Sequence, residues 1–155
     1  MLRYLMIAAL VMTVGTVVQS ASASESLVVK TSAHNAQTTM DRFQSIVEGK
    51  GLKVFARIDH GGGAKAVGQE LAPTEVLIFG SPKIGTPLIQ NTRSFGLDLP
   101  LKVLVWQDAD GLGRLAYTLP ADLAARHGAT GVDKVIANMT KALDARTSAA
   151  AKPSN

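Results

Sequence analysis

Few groups in this sequence can do acid–base, nucleophilic or metal chemistry, and their spacing narrows the choice further. The 155 residues contain no cysteine, which removes thiol catalysis, thiolate metal sites and redox exchange. The three histidines, His34, His60 and His127, form no pair at the i, i+4 spacing that places two imidazoles on one helical face. None of them sits beside carboxylates in a ligand pattern, so neither a metal nor a cofactor is expected. His60-Gly61-Gly62-Gly63 has the composition of an oxyanion loop, where N–H groups freed by glycine point at developing negative charge. The Gly-x-Ser-x-Gly elbow that carries the nucleophile in such enzymes is missing, and the chain is short for that fold. The glycine run therefore reads as a loop between strands, reaching to about Pro73. With Lys65 it does not form a phosphate loop either, because the Gly-x-x-x-x-Gly-Lys-Ser/Thr spacing is absent.

Six residues remain as candidates for a ligand site or an interface. Asp98 lies between Leu97 and Leu99 and precedes Pro100. A carboxylate in so apolar a setting must be hydrogen-bonded, ion-paired or shifted in pKa. It is either an acid–base group or a lock that fixes a loop to the strand after it, and with His127 it would form the best titratable pair. Arg126 and His127 can bind an anion, or they can complement the C-terminal dipole of a short helix. Trp106 shares a strand face with Lys102 and Leu104, where it can line a groove or a dimer interface. Lys83 and Thr86 belong to a stretch, Ser81 to Pro100, punctuated by glycine, proline and threonine.

The elements that must position these groups follow from periodicity. Leu27 to Lys30 is a short β-type run. Ala36, Met40, Phe43 and Val47 share one face of a helix over Asn35–Glu48, capped by His34 or Asn35 and ended by Gly49 and Gly51. Leu52, Val54, Ala56 and Ile58 alternate with Lys53, Phe55 and Arg57, which predicts a strand with one buried face. Val76 to Phe79 reads as a strand inside the sheet, and Thr86-Pro87 opens a short helix to about Asn91. Leu101 to Gln107 and Arg114 to Leu119 form a hairpin about Asp110-Gly111. Pro120 to Arg126 is a short helix stopped by Gly128. A longer helix runs from Thr130, its cap, to Ala145 along Val132, Val135, Ile136, Met139 and Leu143. The residues from Thr147 to Asn155 are small and polar and read as a disordered tail. A strand, a helix, several antiparallel strands and a long helix make an α+β two-layer domain with helices on one face of the sheet.

The N-terminus reads as an export signal: Arg3, an apolar run from Leu5 to Val18, then Ala21 and Ala23 at the small-x-small positions, with cleavage expected after Ala23. The run is shorter than the roughly 20 apolar residues of a membrane span, so no stable insertion is expected after cleavage. The formal charge is +4, and its basic residues are scattered, which argues against a nucleic-acid face. The expected location is the periplasm or the exterior. A domain of this length buries a core without staples, and without cysteine it rests on packing, with association into a homodimer as a further expected source of stability.

The strings Phe79-Gly80-Ser81-Pro82-Lys83-Ile84-Gly85-Thr86-Pro87-Leu88-Ile89-Gln90 and Leu97-Asp98-Leu99-Pro100-Leu101-Lys102-Val103-Leu104-Val105-Trp106, with Tyr117 and Arg126-His127-Gly128, resemble the prokaryotic domain-of-unknown-function family numbered 302. The resemblance covers about Leu27 to Ala145. It implies a β-α-β(4)-α domain of the TATA-binding-protein-like class, associating as a dimer, and carries no catalytic residue and no DNA binding with it. Two positions depart from the pattern: Gln107 stands where an acidic residue is common, and Leu119 where Asp often precedes the proline. The functional expectation is an exported, non-enzymatic module for a small ligand or a periplasmic protein. The alternatives are an enzyme using Asp98 and His127, and a structural homodimer.

Overall fold

The computed structural model describes residues 27–153; the expected signal segment and the expected cleavage after Ala23 lie outside the described residues. The first strand, β1 (Leu27–Thr31), leads into helix α1 (Ala36–Gly49). Asn35 caps α1 as expected: its side-chain oxygen accepts from Thr38 N at 2.8 Å. A second cap comes from far along the chain, since Gln107 Oε1 accepts from Ala36 N at 2.8 Å. The departure from an acidic residue at Gln107 thus retains an oxygen acceptor at a helix N-terminus. Strands β2 (Lys53–Asp59), β3 (Thr74–Gly80), β4 (Leu101–Gln107) and β5 (Gly113–Thr118) complete a five-stranded sheet in the order β1-β5-β4-β3-β2, antiparallel throughout. Between β2 and β3 lies α2 (His60–Ala66), and between β3 and β4 lie α3 (Pro82–Asn91) and a 3₁₀ turn over Arg93–Leu97. Helices α4 (Pro120–Arg126) and α5 (Asp133–Ala151) follow β5. The order β-α-β(4)-α of an α+β two-layer domain is the one expected.

One face of the sheet carries the main core. Phe43, Met40 and Val47 of α1 and Leu143 and Ala150 of α5 pack on Leu77, Phe79, Val103, Val105, Leu115 and Tyr117. Phe43 and Phe79 meet edge to face, ring centroids 5.3 Å apart. Each large side chain buried here contributes about 1.5–3 kcal/mol. A second, smaller core joins Leu88 of α3, Phe95 of the 3₁₀ turn, Leu123 of α4 and Val132, Ile136 and Met139 at the start of α5. Helix α5 therefore floors both cores, and the join between them is where a cleft opens.

Four expectations need correction. First, the face pattern of β2 breaks at Phe55, where a bulge shifts the register between Val54 and Ala56. One extra residue reverses the alternation. Val54 stays on the helix-covered side, but Ala56 and Ile58 turn to the other face and Arg57 turns in, bonding to Glu75 and, at 2.6 Å, to Asp41 of α1. Second, His60-Gly61-Gly62-Gly63 is not a loop but the first turn of α2. The Asp59 carboxylate caps it, accepting from Gly62 N at 2.8 Å. A Cβ on Gly62 would lie 2.5 Å from Asp59 Oδ2, so the closeness of the cap accounts for that glycine. Third, α3 begins at Pro82, not Pro87. Ser81-Pro82 offers the same cap-then-proline signal one turn earlier, and Pro87 sits inside the helix without an N–H to give to Lys83 O.

Fourth, α5 starts at Asp133 with no side-chain cap, while Thr130 O instead accepts from Asn91 Nδ2 at 3.2 Å. At its other end α5 continues to Ala151, so the expected disordered tail is helical through Thr147–Ala151, with Thr147, Ala150 and Ala151 buried. Cations drawn from other elements hold this end. Lys30 Nζ donates to Asp144 Oδ1 at 2.7 Å, Thr147 Oγ1 at 2.9 Å and Ser148 Oγ at 2.7 Å. Arg42 Nε donates to Ala150 O at 3.0 Å, and Ala33 N to Ala151 O at 2.9 Å. Positive charge on the last carbonyls of a helix is favourable for the dipole, and none of these partners is visible in the local sequence.

Candidate functional site

The six candidate residues fall into three separate places. Lys83 and Thr86 line a cleft. Asp98, Arg126 and His127 meet one another away from it. Trp106 stands on the sheet face opposite α1, across from Thr74 and Arg114 in the two flanking strands.

The cleft measures about 610 Å³ and opens where the two cores meet. Its walls come from α3 and the strand end before it, from Leu99-Pro100-Leu101, from Phe55 at the bulge and from one side of α5. That volume falls in the range of about 300–1,000 Å³ typical of small-molecule sites. Phe79, Ile89, Leu99, Met139 and Leu143 make the interior apolar, and Phe55 and Ile84 stay substantially exposed at its edge. The polar lining is sparse: Ser81, Lys83, Thr86, Asn138 and Arg146, with no carboxylate. Ser81 is the N-cap residue of α3, and its side chain makes no cap bond.

Arg146 lies one residue past the end of the helix that the sequence predicts, which stops at Ala145, whereas α5 runs on to Ala151. Once the helix is known to continue, Met139, Leu143 and Arg146 follow at spacings of four and three, so the apolar stripe ends on a cation. Arg146 is partly buried, and burial pushes its guanidinium below its ordinary value. It has no ion-pair or hydrogen-bond partner among the described residues.

Asp98 and His127 do meet. His127 Nε2 lies 2.7 Å from Asp98 Oδ2, and Arg126 Nη1 reaches the same oxygen at 2.7 Å. An ionised carboxylate only accepts, so Nε2 carries the proton, and in the neutral ring Nδ1 accepts from the Ser94 hydroxyl at 3.0 Å. The imidazole also lies against the Phe95 ring, centroids 5.1 Å apart. Burial raises the Asp98 carboxyl, but the hydrogen bonds and charges of His127 and Arg126 outweigh it, and the group sits below the ordinary carboxylate range. The three residues clamp the C-terminal end of α4 to the 3₁₀ turn. Gly128, with φ at +60°, ends α4 in the left-handed conformation expected of it.

The Trp106 face is apolar and partly open. Leu104, Val76, Ile78 and Ala116 surround its middle, while Leu27, Val29 and Ile58 are 61%, 50% and 42% exposed.

Comparison with known proteins bears on the fold and the lineage. The chain is 46% identical over 101 residues to the fluoride-specific ion channel FluC 1 of Brucella suis biovar 1 (strain 1330), a match that takes in 65% of this chain and 40% of that protein. It is likewise 46% identical over 101 residues to the FluC 1 channel of Brucella abortus biovar 1 (strain 9-941), covering 37% of it. The chain thus spans about two fifths of the length of these relatives. A crystal structure of an uncharacterized conserved DUF302 protein from Bacillus stearothermophilus superposes with a TM-score of 0.73 at 17% identity, covering 80% of this chain and 97% of that one, so the two share the fold. The model of the family described as "Domain of unknown function DUF302" matches residues 28–146, which takes in the five-stranded sheet except Leu27, the first residue of β1, and the whole lining of the cleft out to Arg146. The chain belongs to the DUF302 family.

Proposed function

We propose that this domain is a non-catalytic binding module, exported to the periplasm or beyond, and that the cleft between its two cores is the ligand site. The observation that carries this reading is the composition of the lining: about 610 Å³ walled by apolar side chains, with the only ionisable groups being Lys83 and Arg146. Neither a paired acid and base nor a nucleophile with a base beside it stands in that lining, which suits holding a molecule better than transforming it. The strings that mark the family, Phe79–Gln90 and the start of Leu97–Trp106, supply most of the walls. Channel activity is the property of the Brucella relatives and is not proposed for this chain. A helical span needs roughly 20 apolar residues, and no helix among the described residues is long and apolar enough to cross a membrane. A two-dimensional NMR titration with small apolar and amphiphilic compounds tests the proposal. Shifts confined to Ile84, Ile89, Met139 and their neighbours support it, and Ala142→Phe, which fills the cleft from α5, abolishes them while the rest of the spectrum stays native. Shifts that map elsewhere, or that survive Ala142→Phe, overturn it.

The enzymatic reading has one observation in its favour, the hydrogen-bonded chain Ser94–His127–Asp98, which has the composition of a nucleophile, base and orienting acid. Two features count against it. None of the three lines the cleft, and Arg126 competes with His127 for the same carboxylate oxygen, weakening its support of an imidazolium. A fluorophosphonate probe separates the readings: labelling that is lost in Ser94→Ala would establish an active serine, and an unlabelled protein leaves the clamp. The dimer reading draws on the open face around Leu27, Val29 and Trp106, since apolar patches of this kind mark interfaces. Light scattering is expected to give twice the chain mass, reverting to a single mass in Val29→Lys.

A further inference from the structure

We infer that the cleft selects an anionic amphiphile, a free medium-length aliphatic carboxylic acid whose tail fills the apolar walls and whose carboxylate is received by Arg146, with Lys83 adding to the field. The inference rests on the cleft being a ligand site and goes on to say what chemistry fits it. Sign comes first. The lining holds two cations and no carboxylate, so the electrostatic complement of the occupant is negative. Arg146 makes the stronger case of the two. It is partly buried, its guanidinium is disfavoured by that burial, and it has no partner among the described residues. The other partly buried cations among the described residues all have partners: Arg57 is paired with Glu75 and Asp41, Arg114 with Asp108 and Asp110, Lys30 with Asp144, and Arg42 donates to Ala150 O. A guanidinium offers a carboxylate two parallel donors, the geometry that makes such pairs strong.

The body of the ligand follows from the walls. Phe79, Ile89, Leu99, Met139 and Leu143 offer carbon and sulfur but no hydrogen-bond partner. A peptide laid there would bury amide groups without partners, each at a cost of roughly 1–3 kcal/mol. A sugar or nucleotide would strand more. A hydrocarbon tail strands nothing and gains about 0.8 kcal/mol per methylene removed from water.

Isothermal titration with octanoate, decanoate, decanol and decyltrimethylammonium, each below its critical micelle concentration, tests this on the full mature chain. Decanoate is expected to bind most tightly, decanol more weakly and the ammonium compound weakest, with octanoate weaker than decanoate. In Arg146→Met, which keeps the stem and removes the charge without orphaning a counter-ion, decanoate affinity should fall on the order of tenfold to a hundredfold, the worth of one charged hydrogen-bonded contact. Decanol should be unaffected, and Arg146→Lys should recover part of the loss. Equal binding of decanoate and decanol, or a decanoate-to-decanol ratio unchanged by Arg146→Met, overturns the anion inference while leaving the cleft as an apolar site. Absence of binding by all four compounds, together with an NMR titration that spares the cleft, overturns the binding reading itself. Sedimentation with phosphatidylglycerol vesicles that free decanoate cannot reverse assigns the charge to a membrane surface and overturns the free acid.

Discussion

Replacing Asp98 by Asn separates a structural clamp from a catalytic pair. The substitution keeps the shape of the side chain and removes the charge that His127 Nε2 and Arg126 Nη1 share at 2.7 Å each. The His127 side chain is only 6% exposed and that of Asp98 16%, whereas Arg126 is 38% exposed. The two contacts therefore count unequally. A hydrogen bond to a charged group is worth about 1.5–3 kcal/mol when sheltered, while an exposed ion pair is worth about 0–1 kcal/mol after screening. An amide can still accept from one donor, so the expected net loss is about 2 kcal/mol at neutral pH, read as a lower urea midpoint with an unchanged slope. The pH dependence gives the sign. The Asp98 carboxyl is depressed below its unfolded value of about 3.9. Its contribution is therefore complete above that value and disappears as pH falls through the lower folded value. The difference between wild type and Asp98→Asn should be full at neutral pH and close mostly in strong acid, below the folded value. Decanoate affinity should not change, because Asp98 does not line the cleft. A variant as stable as wild type at neutral pH, or a deficit that persists undiminished in strong acid, would refute the clamp.

Gly113→Ala should cost about 1–3 kcal/mol, because its Cβ would lie 2.9 Å from Thr39 Oγ1 and 3.1 Å from His34 O in a filled corner; a chemical denaturation curve reads the loss. Ending the chain after Ala145 removes the buried Thr147 and Ala150 and the acceptors of Arg42, and should destabilise by at least about 3 kcal/mol. A dispensable tail would leave the midpoint where it was. Mass spectrometry of the protein recovered from a periplasmic extract should give a chain beginning at Ser24, and an intact Met1 there would refute cleavage after Ala23.

The elements that were legible in the sequence are those whose signals are local. The Asn35 cap, the Met40–Phe43–Val47 stripe, the hairpin about Asp110-Gly111 and the Gly128 stop each depend on residues within one or two turns of one another. What failed depends on partners distant in sequence. The alternation from Leu52 to Ile58 is unbroken as a string, yet Phe55 bulges and Arg57 turns under α1 to reach Asp41 and Glu75. Glycines are poor helix formers, costing about 1 kcal/mol each, yet Gly61 to Gly63 are helical because the Asp59 carboxylate caps them at close range. The small residues of Thr147 to Ala151 read as a tail until Lys30 and Arg42 arrive from β1 and α1.

The same distinction explains why the candidate residues scattered. Asp98 and His127 were singled out for their chemistry, and each does need a partner; they satisfy that need in each other, with Arg126 and Ser94 completing the set. A titratable group whose bonding is complete has already been explained by the fold. Arg146 is the reverse case. Sequence gave it no distinction, since a lone arginine beyond an apolar stripe is commonplace, and only the joining of two cores by α5 turns it toward an apolar space with no acid in it. A partly buried cation beside such walls carries a desolvation cost that no partner among the described residues offsets. Among the polar groups described here, it is the one whose presence is best explained by a molecule that is not part of the protein.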